Sequence, residues 1–117
     1  MTYRERYYTS QNDLRLYFRD YGDPLALALP VLCLPGLTRN CKDFEDLAGR
    51  LSRQRRVVCP DYRGRGRSAY DPDWRKYTPR TCLQDIHHLL AAASLHRVVV
   101  IGTSLGGLLG MALAVSA

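Results

Sequence analysis

The stretch from Val98 to Gly106 constrains this chain more than any other. An apolar run, Val98-Val99-Val100-Ile101, feeds directly into Gly102-Thr103-Ser104-Leu105-Gly106. The run reads as a buried strand and the residues from Leu105 onward as a helix, so the pentapeptide must turn the chain sharply between them. Glycines two before and two after the serine let the strand and helix backbones pass closely. Such a turn lifts the Ser104 hydroxyl above the end of a sheet and aims the first helical amides at the same point. Ser104 is therefore a candidate nucleophile, with Gly102 and Gly106 as the glycines its turn needs. Leu105 to Ala117 holds no Asp, Glu or His, so no acid or base follows the serine.

The chain upstream supplies a sheet for that turn to stand on. Arg4–Thr9 and Leu14–Asp20 read as two strands joined by the polar turn Ser10-Gln11-Asn12-Asp13. Leu14, Leu16 and Phe18 alternate with Arg15, Tyr17 and Arg19, the period of two that predicts a half-buried strand. Val31–Leu34 is a short continuous apolar run, expected of a parallel strand buried on both faces. Asn40 is placed to cap a helix through Leu51, with Asp43 in capping-box position and Phe44, Leu47 and Leu51 as its buried stripe. Arg56–Cys59 is the next strand, closed by Pro60. Thr78 caps a further helix with Pro79 at its first position, burying Leu83, Ile86, Leu89, Leu90 and Ala93. Arg97–Ile101 is the last strand. Strand and helix alternate from Val31 on, which predicts an α/β fold with a mostly parallel sheet, flanking helices and an antiparallel first hairpin.

Charge and cysteines narrow the functional classes. Seventeen basic against eleven acidic residues give a net charge of +6. Much of the excess sits in Arg53, Arg55, Arg56, Arg63, Arg65 and Arg67; a basic rim for acidic substrates or nucleic acid is one reading, and solvated loop arginines flanking one strand is the preferred one. No aromatic-interleaved basic stripe accompanies them, so no nucleic-acid partner is expected. Cys33, Cys41, Cys59 and Cys82 contain no C-x-x-C pair, which argues against a metal site, and Cys33 and Cys59, inside strand-like runs, read as small core residues. The N-terminus has no apolar signal region, so a reducing cytoplasm with four free thiols is expected. Val98–Ala117 is uncharged and long enough to span a bilayer. Its four glycines fit a buried strand, turn and helix better, and no membrane is expected.

Three segments at successive strand ends now stand out: Leu34-Pro35-Gly36-Leu37-Thr38, Asp61-Tyr62-Arg63-Gly64-Arg65-Gly66-Arg67-Ser68, and the turn at Ser104. Together they resemble the α/β-hydrolase family over nearly the whole chain, in the order of its N-terminal half. The resemblance implies a serine hydrolase, esterase-like or cleaving C–C bonds, with Ser104 attacking a small-molecule carbonyl substrate and no cofactor. It implies an oxyanion hole from the backbone N–H groups of Leu37 and Leu105, with Gly36 shaping the first of those loops. Many relatives have His-Gly where this chain has Pro35-Gly36; the proline removes a donor at 35 and leaves the one at 37. Dehalogenase and epoxide-hydrolase relatives carry aspartate at the elbow, so Ser104 argues against both.

The resemblance also implies what 1–117 lacks. Five of eight strands are present, and the order Ser, acid, His puts the acid and base later in the chain. His87, His88 and His96 all precede Ser104. His96 lies eight residues back, about 26 Å away along a strand. His87 and His88 fall off the apolar helix face and read as surface residues. Asp61 and Asp85 read as loop and helix-surface carboxylates. Residues 1–117 are accordingly expected to be an incomplete domain, inactive alone, with an exposed apolar edge at the last strand. The alternative is a non-catalytic half-fold that binds a partner or small ligand. Gly64-Arg65-Gly66-Arg67-Ser68-Ala69 also fits a dinucleotide fingerprint, but Tyr70-Asp71-Pro72-Asp73 denies it the helix that fingerprint needs. Ester, lactone and β-diketone substrates stay open, with Tyr62, Tyr70 and Trp74 as candidates for a pocket mouth.

Overall fold

A computed structural model describes residues 2–116. Strands β1 (Tyr3–Thr9), β2 (Arg15–Tyr21), β3 (Val31–Leu34), β4 (Val57–Pro60) and β5 (Val99–Gly102) form one sheet in the order β1-β2-β4-β3-β5. β1 and β2 form the expected antiparallel hairpin, β2 pairs antiparallel with β4, and β4, β3 and β5 run parallel. Helices α2 (Pro79–Ala92) and α3 (Leu105–Ser116) cover one face and α1 (Glu45–Leu51) the other. The sequence's alternation after residue 31 produces this layering, because each parallel strand needs a crossover that returns the chain to the same end of the sheet.

The two faces bury different chemistry. Leu16, Phe18, Leu32, Leu34 and Val58 pack under Ile86 and Leu89 of α2 and Leu105, Leu109 and Leu113 of α3. Tyr17, Tyr21, Val31, Cys33, Val57 and Cys59 pack on the opposite face with Cys41, Phe44 and Ala48. β2 therefore differs from the half-buried strand its alternation predicts: Tyr17 and Arg19 are as buried as Leu16 and Phe18. β1 and β4 flank it on both sides, and α1 with the turn before it closes the face on which Tyr17 lies. The Arg19 guanidinium is kept there by stacking on Tyr3, 4.1 Å from the ring centroid, and by donating to the Tyr21 hydroxyl.

The first helix also differs. Asn40 does cap, but it caps a 3-10 turn over Cys41–Phe44, accepting from the Lys42 N–H. Asp43 pairs with Arg39 instead of completing a capping box. The tighter first turn shifts the helical phase, so Phe44 and Ala48 face the sheet and Leu47 is left exposed. Thr78 caps α2 as expected, accepting from Thr81 N–H, with Pro79 in the first turn.

Two of the six arginines read as solvated are buried, because carboxylates wait for them. Arg56 makes a two-pronged contact with Asp20, at 2.9 Å through Nε and 2.9 Å through Nη2. Arg4 and Arg6 of β1 approach the same carboxylate from the solvent side. The expected apolar edge is present: β5 is the last strand of the sheet, Val99 is 41% exposed, and α3 exposes Leu108, Met111 and Val115.

Burial opposes ionisation of Asp20, but its bonds to Arg56, reinforced by Arg6 and Arg4, hold its carboxyl below the ordinary value. A lowered folded pKa stabilises the fold above the unfolded value of about 3.9 and ceases to do so as pH falls through the folded value. Urea unfolding between pH 6 and pH 2 should therefore show a steeper acid loss of stability in the native sequence than in Asp20→Asn. At pH 7 that variant should cost about 3 kcal/mol, from the uncompensated Arg56 charge.

Candidate active site

Ser104 stands between the end of β5 and the start of α3, exposed, with φ of +53°. A left-handed backbone at a non-glycine residue costs about 1–3 kcal/mol and persists only where its surroundings impose it. Here the surroundings are two close passages. A Cβ on Gly102 would lie 2.4 Å from the carbonyl carbon of Gly106. A Cβ on Gly106 would lie 1.9 Å from the carbonyl oxygen of Leu34, at the end of β3. That same oxygen accepts the Thr103 N–H at 3.1 Å. The turn is thus locked onto the neighbouring strand, and the serine is carried clear of the sheet.

The loop after β3 lies beside it. Gly36 is in ordinary contact range of the Ser104 Cβ, since a Cβ built on it would sit 3.8 Å away. Leu105 begins α3, so its N–H has no intrahelical acceptor. Leu37 and Leu105 lie on the wall of one cavity of about 290 Å³. The sequence therefore brings Ser104, Gly36, Leu37 and Leu105 to one end of the sheet, as their strand-end positions predict.

The loop after β4 fixes that arrangement from below. The Tyr62 hydroxyl donates to the Pro35 carbonyl at 2.7 Å, and Arg65 Nε donates to the Leu37 carbonyl at 3.1 Å. Pro35 thus serves as an acceptor where it cannot donate. Asp61 is buried, accepting from the Cys41 N–H at 2.7 Å and the Arg67 N–H at 3.0 Å. It organises the loop in which the sequence places it, whereas the helix-surface reading of Asp85 does not hold. Asp85 is buried too, paired through both oxygens with Arg63, at 2.7 and 2.6 Å. Asp71 takes the remaining edge of Arg63 at 2.8 Å, and Ser10 donates to Asp85. This network ties the first hairpin turn, the glycine-rich loop and α2 into one frame behind the cavity. No helix opens after Gly64-Arg65-Gly66; a 3-10 turn over Trp74–Lys76 follows, and α2 begins at Pro79. That removes the dinucleotide reading.

The cavity is walled by aromatic and apolar groups. Tyr62 and Tyr70 line it, while Trp74, 79% exposed, is not on its wall. Tyr77, Pro79 and Cys82 join them from the start of α2. Their position depends on how α2 docks, which no local sequence signal announces. Burial, seconded by the Asp85 charge, pushes the Cys82 thiol up to about 11, with Arg63 and Arg65 opposing. Such a thiol is protonated and packs as a small apolar group. His87 and His88 lie exposed on α2, and His96 lines a separate hollow with Pro24, Pro30 and Arg97 before the start of β5. All four cysteines are free and buried. Among the described residues, no group of His, Cys, Asp or Glu is arranged to hold a metal ion, and no helix is long and apolar enough to cross a membrane.

The sequence pattern of the alpha/beta hydrolase fold matches residues 30–117. The chain belongs to the α/β-hydrolase family. Among hydrolases of this family, a solved structure from Novosphingobium aromaticivorans shares 56% identity and superposes with a TM-score of 0.91, over 97% of this chain and 40% of that one. The 3-hydroxybutyrate-oligomer hydrolase of Cupriavidus necator is 41% identical over 100 residues, covering 86% of this chain and 34% of its own length. A human serine hydrolase-like protein is 32% identical over 81 residues, covering 69% of this chain and 40% of its own. This α/β-hydrolase chain thus spans between a third and two fifths of these relatives.

The close passages give a paired expectation for the α/β-hydrolase elbow. Gly106→Ala should destabilise the fold by about 3 kcal/mol, because the new methyl meets a backbone oxygen that cannot swing away. Gly107→Ala, with its nearest neighbour at 3.8 Å, should be neutral or stabilising by up to about 1 kcal/mol. Denaturant unfolding of the two variants checks both.

Proposed function

We propose that the protein carrying this chain is a serine esterase, with Ser104 as nucleophile and the N–H groups of Leu37 and Leu105 as its oxyanion hole. The observation that carries this is the exposed Ser104, held at φ of +53° by glycine-only contacts between β5 and α3. A hydroxyl held at the end of a sheet meets a carbonyl carbon without first unpacking anything. As Oγ bonds to that carbon, the carbonyl oxygen takes up negative charge beside the free amide at the start of α3. Collapse expels the alcohol and leaves an acyl group on Ser104, which water then removes.

Ser104 needs a base to take its proton, and no histidine at its end of the sheet supplies one: His96 lies on the hollow before β5, and His87 and His88 on the outer face of α2. The base and its orienting carboxylate come, on this reading, from the length of the relatives that 1–117 does not span. Substrate choice follows the cavity, whose tyrosines, Leu37, Pro79 and neutral Cys82 suit a compact acyl group. The name of the C. necator relative supports an ester over a β-diketone. The four unpaired thiols fit a reducing compartment such as the cytoplasm.

A second reading, a non-catalytic half-fold that binds a partner, draws on the exposed Leu108, Met111 and Val115 of α3. Cooperative unfolding of 1–117 together with sedimentation as one defined species would favour it.

Hydrolysis of ethyl butyrate by the native protein decides the main reading. Ser104→Ala should lower kcat by at least about 10⁴-fold, and 1–117 alone should be no faster than its own Ser104→Ala control. A Ser104→Ala protein that keeps its turnover contradicts the nucleophile. Robust Ser104-dependent turnover by 1–117 contradicts the need for a distant base.

A further inference from the structure

The cavity beside Ser104 has two arginines on its wall, and their charges are treated differently. Arg63 is buried and fully answered by Asp85 and Asp71. Arg65 is exposed, and among the described residues its side chain makes one hydrogen bond, from Nε to the Leu37 carbonyl. Among the described residues, no carboxylate oxygen lies within ion-pair distance of it. Arg67, the next arginine in the loop, is paired with Glu5. Arg65 therefore brings an unanswered positive charge to a wall whose other members are uncharged or already paired.

Burial and then Asp85 push the Cys82 thiol on the same wall up, with Arg63 and, behind it, Arg65 opposing. With Nε committed to Leu37, the two Nη groups remain as a planar fork, the geometry that matches a carboxylate through parallel N–H bonds. A tethered guanidinium also loses less freedom on binding than a loose one. Leu105, the residue after Ser104, shares this wall with Leu37 and Arg65, so the cavity that Arg65 lines reaches the start of α3 beside the serine.

We infer that Arg65 recognises a free carboxylate on the substrate, remote from the ester that Ser104 attacks. The substrate class is then half-esters of short dicarboxylic acids and carboxyl-ended hydroxy-acid esters. This rests on the serine-esterase reading, and its test separates the two.

Monoethyl succinate and ethyl butyrate have acyl chains of the same length and differ in the terminal carboxylate. In the native protein, Arg65→Gln should lower the succinate-to-butyrate ratio of kcat/KM about tenfold, mostly through KM. Arg65→Lys should restore part of it, and 1 M salt should erode the native preference. An unchanged ratio, or an equal fall in kcat for both esters, overturns the inference and leaves Arg65 as a tether for Leu37. Calorimetric titration of monoethyl succinate into the Ser104→Ala protein reads the same site without turnover. Binding there should weaken about tenfold when Arg65→Gln is added. If neither ester is hydrolysed but this binding holds, the esterase reading fails and the carboxylate site stands.

Discussion

The carbonyl oxygen of Leu34 is the point on which this architecture turns. It ends β3, accepts the N–H of Thr103, and meets the backbone of Gly106 where no side chain fits. That contact, together with the pairing of β5 to β3 and the packing of α3 on the sheet, fixes the last strand, the turn and the last helix relative to the middle of the sheet. Moving Gly106 outward by a methyl would tilt α3, shift its first amide and relax the backbone at Ser104. The position of the Ser104 hydroxyl is therefore set by main-chain packing, which side-chain motion cannot blur.

Around that point the molecule spends its buried charge on loops. Arg63, Asp85 and Asp71 hold the glycine-rich loop against α2, and Tyr62 and Arg65 pass that rigidity on to Pro35 and Leu37. A buried ion pair contributes little net stability compared with an apolar core, but it specifies geometry. On the proposed mechanism, that suits a loop whose Leu37 amide must already point at a developing charge. The sheet beneath carries the stability, and the loops above carry the orientation.

Much of this was legible in the residues. An apolar run into Gly-x-Ser-x-Gly has few backbone solutions, so the strand, turn and helix at 98–106 follow from local chemistry. The capping of α2 by Thr78 and Pro79 is equally local. The burial of Arg63 and Asp85 was not legible, because a lone arginine in a loop does not disclose a carboxylate 22 residues on. Tyr17 and Arg19 misled for a related reason. Alternation reports on a strand with one wet face, and β2 is covered on both by elements remote in sequence. The phase of α1 was lost when a 3-10 turn replaced its first α-turn. Tyr77, Pro79 and Cys82 reach the cavity through tertiary docking alone.

The central claim is that Ser104 is a nucleophile made by its turn. The most direct measurement is mapping the site at which a fluorophosphonate labels the native protein, by peptide mass after proteolysis. Attack by Oγ on phosphorus with loss of fluoride should leave one adduct, on the peptide containing Ser104. Labelling at another residue, or none in a folded and otherwise intact protein, would contradict the account.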